Sequence, residues 1–270
     1  MREACIIIPA RYASQRYPGK PLVPLRGAGG VARSLLERTV MAARHAAEVV
    51  TLSGIHVATD DERIAEEAAR IGVPVIMTGS ECANGTERVA QAVARAGIEA
   101  EIVVNLQGDA PLTPPHFIAA LVGAMRARPD CEVATPILRC SHEALENFLA
   151  DRRAGRVGAT TVVRDRQGNA LYFSKEVIPH VAAPLDPSVP VPVFHHVGLY
   201  AYRQPALRGY SAVGATELEQ AEGLEQLRFL EAGQKIAAIE VEARGGAFWE
   251  LNNPTDVALI ERYLARMGME

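Results

Sequence analysis

A loop rich in cations follows the first apolar segment of the chain. The sequence IIIPA leads into PARYASQRYPGKPL, residues 9–22, where Arg11, Arg16 and Lys20 lie between glycine and proline breaks. Backbone N–H groups in such a loop can approach phosphate oxygens, while the cations neutralise charge during phosphoryl or nucleotidyl transfer. The sequence has neither a Walker pattern nor a dinucleotide-binding glycine fingerprint. These residues alone therefore fit a triphosphate-binding loop and a solvated surface loop equally well.

A single aspartate follows another apolar segment. Asp109 comes directly after the buried-strand pattern in VVNLQGDAP. Mg²⁺ prefers hard oxygen ligands and bridges triphosphate oxygens, so a carboxylate at a strand end is suited to hold it. The competing interpretation is an aspartate that caps a turn, and the motif by itself favours that structural role.

The elements that carry these residues alternate along the first half of the chain. Strand-like segments such as ACIIIPA, IHVATD, VPVIMTG and EIVVNLQGD alternate with helical patterns such as ERIAEEAARIG and TERVAQAVARAG. This order is typical of βαβ crossover units, and strands that are apolar throughout are expected where helices cover both faces of a sheet. The sequence predicts a doubly wound, mostly parallel α/β sheet that binds ligands at the carboxyl ends of its strands.

In the second half the pattern changes to GATTVVRD, NALYFSKEVI and HHVGLYAYR, with turn and proline-rich sequences between them. Residues 138–205 are predicted to contribute an antiparallel lobe, typical of an oligomer contact, to a single domain over residues 1–270. The sequence ELEQAEGLEQLRFLEAG predicts one long helix that ends near Gly233. Asn253 is predicted to cap the last helix and Pro254 to begin it.

Composition excludes several classes of protein. The 270 residues are 49% hydrophobic and 22% charged with a net charge of −4, which excludes disordered, collagen-like and coiled-coil chains and gives no basic surplus for nucleic acid. Only three of the 28 basic residues are lysines; a GC-rich genome explains most of this bias, and some arginines are placed for bidentate contact with phosphate or carboxylate. The four scattered cysteines predict neither a zinc site nor a disulfide framework. Without a signal or membrane-spanning pattern, a cytoplasmic location is expected.

The loop and the aspartate belong to a wider resemblance. IIIPARYASQRYPGKPL is similar to the N-terminal signature of the 3-deoxy-manno-octulosonate (KDO) cytidylyltransferases, also called CMP-KDO synthetases. The resemblance continues in order and spacing through VATDDERIAEEA, NGTERVAQAV, VVNLQGDAP, LYFSKEVIP, HHVGLYAYR and LEQAEGLEQLRFL, so it covers nearly the whole chain. It implies a nucleotide-binding α/β fold with a smaller dimerisation lobe, and transfer of CMP from CTP to an acidic sugar with release of pyrophosphate.

The resemblance also assigns residues to the nucleotide and the metal. It implies that the catalytic residues are Arg11, Arg16, Lys20 and Asp109. The other residues that it places at the nucleotide are Pro9, Ala10, Ser14, Asn84, Gly85, Thr86, Glu87, Arg88 and Gln107. Asp109 is expected to hold Mg²⁺ together with Asn252, which stands where the family has a second aspartate. Because an amide adds no negative charge, we expect a weaker second ion, or one ion held mainly by Asp109 and substrate oxygens.

The expected acceptor site departs further from the family. Two basic positions of the family become Thr161 and His195, and IPHVAAP lacks an arginine. The acceptor-binding residues that the resemblance retains are Arg16, Lys175, His196, Tyr202, Glu225 and Gln226. Structural burial remains the alternative for His196, and an intrahelical ladder with Glu222 and Arg228 for Glu225.

The sequence thus leaves the acceptor open between a KDO-type acid and a compact dianion such as phosphonoformate, which relatives in phosphonate antibiotic pathways use. The expected partners are CTP, Mg²⁺, a small acidic acceptor and a second copy of the chain, with no nucleic acid and no membrane. A noncatalytic nucleotide-binding protein and a nucleotidyltransferase that uses another base remain the rival interpretations.

Overall fold

The computed structural model describes residues 3–13, 17–157, 159–182, 185–244 and 249–270. The strands are β1 (Ala4–Pro9), β2 (Pro24–Arg26), β3 (Ala32–Ser34), β4 (Leu52–Thr59), β5 (Val75–Met77), β6 (Ile102–Leu106), β7 (Val133–Arg139), β8 (Thr161–Arg164), β9 (Ala170–Ser174), β10 (Phe194–His196), β11 (Leu199–Tyr202) and β12 (Ile236–Glu240). The helices are α1 (Leu35–Ala46), α2 (Glu62–Arg70), α3 (Gly85–Ala96), α4 (Pro115–Ala127), α5 (His142–Arg153), α6 (Gln204–Val213), α7 (Glu217–Glu222), α8 (Leu227–Glu231) and α9 (Asp256–Arg266), with a 3₁₀ turn at Lys20–Leu22.

A mixed sheet runs through the molecule in the order β5-β4-β1-β6-β11-β7-β12. Neighbouring strands are parallel except where β11 pairs with β6 and β7. Strands β1 and β6 are buried along their whole length, because helices cover both faces of a parallel sheet. The doubly wound, mostly parallel α/β fold predicted from the sequence is confirmed.

Three antiparallel strands extend from the same sheet. Strand β10 pairs with β7 on one side and β8 on the other, and β8 forms a hairpin with β9. Strands β10 and β11 share one edge of β7, separated by Val197 and Gly198. The predicted antiparallel lobe is thus continuous with the main sheet, and its role in dimerisation stays a prediction.

The apolar core consists of separate clusters. Ile6 and Ile8 belong to one cluster and Cys5 and Ile7 to another, and since successive strand residues point to opposite faces, these clusters lie on the two sides of the sheet. A third cluster joins segments that flank the carboxyl ends of the strands. Its buried members are Leu25, Leu35, Leu112, Leu251, Ile260 and Leu264.

The prediction of one long helix over residues 217–233 is wrong. Helix α7 ends at Glu222 because Gly223 adopts φ 60° and donates its N–H to the carbonyl of Glu219, and α8 begins only at Leu227. Glycine alone adopts this left-handed conformation at little cost. Gly233, with φ 76°, ends α8 as predicted.

The last helix begins two residues later than predicted. A turn from Asn253 precedes α9, and the Asp256 carboxylate accepts the N–H groups of Asn252 at 2.9 Å and Asn253 at 2.7 Å. Asp256 therefore stabilises the start of the helix. Within the described ranges, no helix is long and apolar enough to span a bilayer.

Candidate active site

The carboxyl ends of β1 and β6 are held close together. A Cβ atom on Gly108 would lie 2.6 Å from the carbonyl oxygen of Pro9, so only glycine fits at this crossing. Ala10 N–H donates to the carbonyl of Ala58 at 2.9 Å, which adds the end of β4. The cationic loop after β1 and the LQGDAP motif after β6 consequently leave the sheet side by side, where an α/β sheet binds ligands.

Lys20 and Asp109 meet at this edge. The Lys20 Nζ atom lies 2.6 Å from Asp109 Oδ2, with side-chain exposures of 15% and 25%. The loop turns back through Gly19, whose φ is 70° and whose N–H donates to the Tyr12 carbonyl at 3.0 Å. Separate motifs predicted Lys20 as a phosphate-binding cation and Asp109 as a metal-binding carboxylate. In the structure the two side chains are in contact, and their charges neutralise each other.

The rest of the predicted triphosphate loop is described in part. Arg11 is exposed two residues beyond the end of β1 at Pro9. Ser14 and Arg16 lie outside the described residues, so their assignments stay predictions.

Asn252 reaches the same edge through the backbone. Leu251 N–H donates to the Asp109 carbonyl at 2.9 Å, which places the segment that begins α9 against the LQGDAP turn. In the described part of the chain, no group of three or more His, Cys, Asp or Glu side chains could hold a metal ion.

The first turn of α3 is fixed by its own side chains. Asn84 caps the helix by accepting Glu87 N–H at 2.9 Å, and its Nδ2 donates to the Tyr210 hydroxyl at 2.8 Å. Arg88 is 3% exposed and binds Thr78 Oγ1 at 2.5 Å and Asp60 at 3.2 Å. Both residues, predicted to contact the nucleotide, are engaged with protein partners that orient the turn.

Glu225 joins this turn to the end of β6. Its Oε2 accepts Thr86 N–H at 2.9 Å and its Oε1 accepts Gln107 Nε2 at 3.0 Å. The Gln107 amide in turn covers Gly85, where an added Cβ would lie 2.9 Å from both amide atoms. Burial raises the pKa of Glu225. Three predicted site residues, Gly85, Gln107 and Glu225, therefore form one contiguous group.

Two other predicted acceptor residues converge on the turn between α7 and α8. Lys175 Nζ lies against Gly223, where a Cβ would be 2.8 Å from it. Gln226 is 2% exposed; its Oε1 accepts the Tyr200 hydroxyl at 3.0 Å, and its Nε2 is buried without a hydrogen-bond partner in the described structure. This buried donor faces no protein acceptor there.

His196 and Tyr202 are packed in the interior instead. His196 is 7% exposed, bonds Thr135 Oγ1 at 2.9 Å through Nε2, and packs against Phe173, and burial lowers its pKa to about 3. Tyr202 is fully buried and its hydroxyl lies 2.8 Å from Thr86 Oγ1. The geometry favours structural burial, the alternative that the sequence left open for His196.

The two replaced basic positions have structural roles. Thr161 is 1% exposed, donates to the Glu176 carbonyl at 2.6 Å and accepts Ile178 N–H at 3.1 Å. His195 packs edge-on against Phe148, and burial lowers its pKa to about 4. Neither side chain supplies the positive charge that an acidic acceptor needs.

A buried ion-pair group that was not predicted from the sequence supports α3. Arg228 is 1% exposed, and it binds Glu219 at 2.6 and 2.8 Å, Glu87 at 2.8 Å and the face of Tyr210 at 4.1 Å. The intrahelical salt-bridge ladder of Glu222, Glu225 and Arg228, which the sequence left open, is wrong. Because the helix breaks at Gly223, Glu222 lies in α7, Glu225 in the turn and Arg228 in α8. An arginine among apolar residues in LRFL was the one available signal of burial.

Comparison with known proteins identifies the family. The family model described as cytidylyltransferase matches residues 5–236. The 3-deoxy-manno-octulosonate cytidylyltransferase of Maricaulis maris (strain MCS10) is 40% identical over 262 residues, with 97% of each chain covered. The Chlamydia pneumoniae enzyme of the same name is 37% identical, covering 96% of this chain and 93% of its own.

A solved structure gives the same result. A CMP:2-keto-3-deoxy-manno-octonic acid synthetase, solved in complex with CTP, superposes with a TM-score of 0.80 at 32% identity, and the match covers 98% of this chain and 99% of the other. With the match of the family model and the near full-length relatives, the fold and sequence lead to one conclusion: this chain belongs to the cytidylyltransferase family.

Proposed function

We propose that the chain transfers CMP from CTP to KDO and releases pyrophosphate. The observation that carries the proposal is the 2.6 Å contact between Lys20 and Asp109 at the carboxyl ends of the strands. There a cation for phosphate and a carboxylate for metal lie together. The CTP-bound synthetase and the relatives named for KDO support both substrates.

The reaction forms one phosphorus–oxygen bond and breaks another. A KDO hydroxyl oxygen attacks the α-phosphorus of CTP and releases its proton to water, the bond from that phosphorus to the bridging oxygen breaks, and pyrophosphate leaves with the bonding electrons. Lys20 and Arg11 stabilise the charge that develops on the leaving group. No covalent enzyme intermediate is required.

The donors around Asp109 fit a Mg²⁺ ion held largely by substrate. Asp109 offers a partly exposed carboxylate, and the Leu251–Asp109 backbone bond brings the Asn252 segment beside it. Magnesium in proteins is commonly held by one or two carboxylates together with substrate phosphates and waters. We propose Asp109 as the main protein ligand, with the Asn252 amide oxygen as a second. When bound, the ion balances triphosphate charge.

The acceptor is the less constrained substrate. Near full-length relatives named for KDO favour that acid, whereas the neutral Thr161 and the half-buried His195, whose pKa is lowered to about 4, favour an acceptor that needs fewer cations. We propose that Lys175 and Gln226, the polar groups at the turn between α7 and α8, contact the acceptor. Phosphonoformate is the second candidate, and one assay compares them.

The assay measures pyrophosphate release from purified protein with Mg²⁺, one nucleotide and one acid at a time. We expect rapid release with CTP and KDO, and at most slow release with phosphonoformate or with UTP, GTP or ATP. Pyrophosphate release with phosphonoformate alone would make phosphonoformate the acceptor in place of KDO. CTP binding without release for any acid would make the chain a noncatalytic nucleotide-binding protein.

Asp109→Asn tests the site itself. The amide keeps the side chain's size but lowers its charge, so turnover is expected to fall about 100-fold or more. The backbone bond to Leu251 and the melting temperature should be retained. Near-normal turnover by a folded variant would contradict the metal assignment.

We also propose a homodimer through the antiparallel lobe. Strand β9 is at the end of the antiparallel group, and its Leu171 side chain is 61% exposed. An exposed apolar side chain on a strand at the edge of a sheet is suited to contact a second copy. Leu171→Glu is expected to yield monomers by sedimentation if the wild type is dimeric, and an unchanged assembly would place the interface elsewhere.

A further inference from the structure

Glu225 connects three parts of the chain that are distant in sequence. It lies in the turn between α7 and α8, and its two oxygens bind Thr86 N–H, 139 residues away, and Gln107 Nε2, 118 residues away. Tyr210 adds a hydrogen bond to its backbone carbonyl at 3.1 Å. Each carboxylate oxygen therefore already has a protein donor.

Within the described residues, the half-buried carboxylate of Glu225 has no paired cation. The nearby Arg228 guanidinium is occupied by Glu219 and Glu87, and burial, together with the like charge of Glu219, raises the pKa of Glu225. A carboxylate that is partly removed from water without a paired cation lowers stability unless hydrogen bonds and dipoles compensate. Here the compensation comes from the N-terminus of α3, a 12-residue helix.

This placement has two consequences for ligands. The Glu225 carboxylate already places negative charge at the first turn of α3. That turn therefore does not attract a triphosphate, which binds instead near Lys20 at the end of β1. An ionised carboxylate can only accept hydrogen bonds, so it fixes the Gln107 amide with Nε2 toward Glu225 and Oε1 on the other side of the amide. The amide in turn covers Gly85.

We infer that Glu225 is a positioning residue for the nucleotide, holding the first turn of α3 and the Gln107 amide in the arrangement that binds CTP. This differs from the acceptor contact expected from the sequence, and it rests on the proposed function. The two roles predict different defects. A positioning residue affects CTP binding before any acceptor is present, whereas an acceptor contact affects only the KM for the acceptor.

Calorimetry with CTP and Mg²⁺, without acceptor, separates these roles. Glu225→Ala removes both hydrogen bonds and should weaken CTP binding by about tenfold or more. Glu225→Gln retains an oxygen for Thr86 N–H but presents an amide to Gln107, so we expect about threefold weaker binding. If Glu225→Ala does not fold, Glu225→Gln carries the test.

Glu222→Gln is the matched control. Glu222 lies three residues earlier, but its oxygens bind Ser174 Oγ at 2.6 Å and Lys175 N–H at 2.9 Å on the β9 side, so its CTP affinity should equal that of the wild type. Wild-type CTP affinity in folded Glu225 variants, with a raised acceptor KM alone, would overturn the inference. Failure of the wild type to bind CTP would instead refute the proposed function.

Discussion

At the scale of single residues, the Lys20–Asp109 pair predicts opposite changes in metal and nucleotide binding. In Lys20→Met the Asp109 carboxylate loses its partner at 2.6 Å, so Mn²⁺ should bind the nucleotide-free protein about three- to tenfold more tightly. CTP binding should weaken, because a phosphate-binding cation is gone. Electron paramagnetic resonance of free Mn²⁺ measures the first effect and calorimetry the second.

A remote lysine is the control for that change. Lys235 is exposed before the amino end of β12, at the opposite edge of the sheet, and Lys235→Met should alter neither affinity. Weaker Mn²⁺ binding to Lys20→Met would show that Asp109 is not the metal ligand.

His196 predicts how stability depends on pH. Burial lowers its pKa to about 3, while an unfolded histidine titrates near 6.5. Between these values the unfolded chain holds a proton that the folded chain lacks, so the free energy of unfolding falls as pH drops below about 6.5, and the loss is complete below about 3. At pH 5 this residue should account for about 2 kcal/mol of lost stability.

Urea unfolding at pH 7, 6 and 5 measures that loss. His196→Gln retains a donor for Thr135 Oγ1 and removes the titration, so its stability should fall less over this range than that of the wild type. His45→Gln, at an exposed position on α1, should follow the wild type. Parallel curves for all three proteins would contradict a buried, neutral His196.

At the scale of elements, α7 and α8 support α3 through the buried Arg228 group. Arg228→Met leaves Glu219, which is 9% exposed, without its cation, and breaking a buried pair in this way costs about 3–5 kcal/mol. The double variant Arg228→Met/Glu219→Gln should recover much of that loss. Urea unfolding compares both with Arg156→Met, whose exposed pair with Asp151 should cost less than about 1 kcal/mol. Equal losses for the single and double variants would rule out the uncompensated charge as the cause.

The elements differ in how well the sequence predicts them. Apolar runs predict β1 and β6 because burial on both faces requires apolar side chains throughout. Two separate motifs, together with the family resemblance, assign Lys20 and Asp109 to one site, but neither motif predicts the ion pair that they form. The break at Gly223 was missed because helical spacing continues across it in sequence. The partners of Glu225 are more than 100 residues away, so no local pattern could indicate them.

At the scale of the whole molecule, the third apolar cluster attaches the chain's last segment to the site. It joins β2, α1, Leu112 and α9, apart from the two clusters on the sheet faces. Leu251 belongs to it and donates its N–H to Asp109. The C-terminal residues add backbone bonds, because Arg38 binds the Glu270 carbonyl at 2.8 Å and Ala28 N–H binds that of Met269. Packing of α9 thus bears on the geometry of Asp109.

Leu264→Ala tests whether α9 opens as a unit separate from the sheet. Leu264 is fully buried, so its truncation should cost about 2–5 kcal/mol. Because its contacts lie in the third cluster, hydrogen exchange should speed up in α9 and in the β2–β3 hairpin while β1 and β6 stay protected, and the KM for CTP should rise. Val122→Ala, in a cluster on the sheet face, should instead weaken protection throughout. Uniform loss of protection in Leu264→Ala would mean that α9 unfolds only with the whole sheet. The packing of α9 would then affect CTP binding at the site no more than packing elsewhere in the core does.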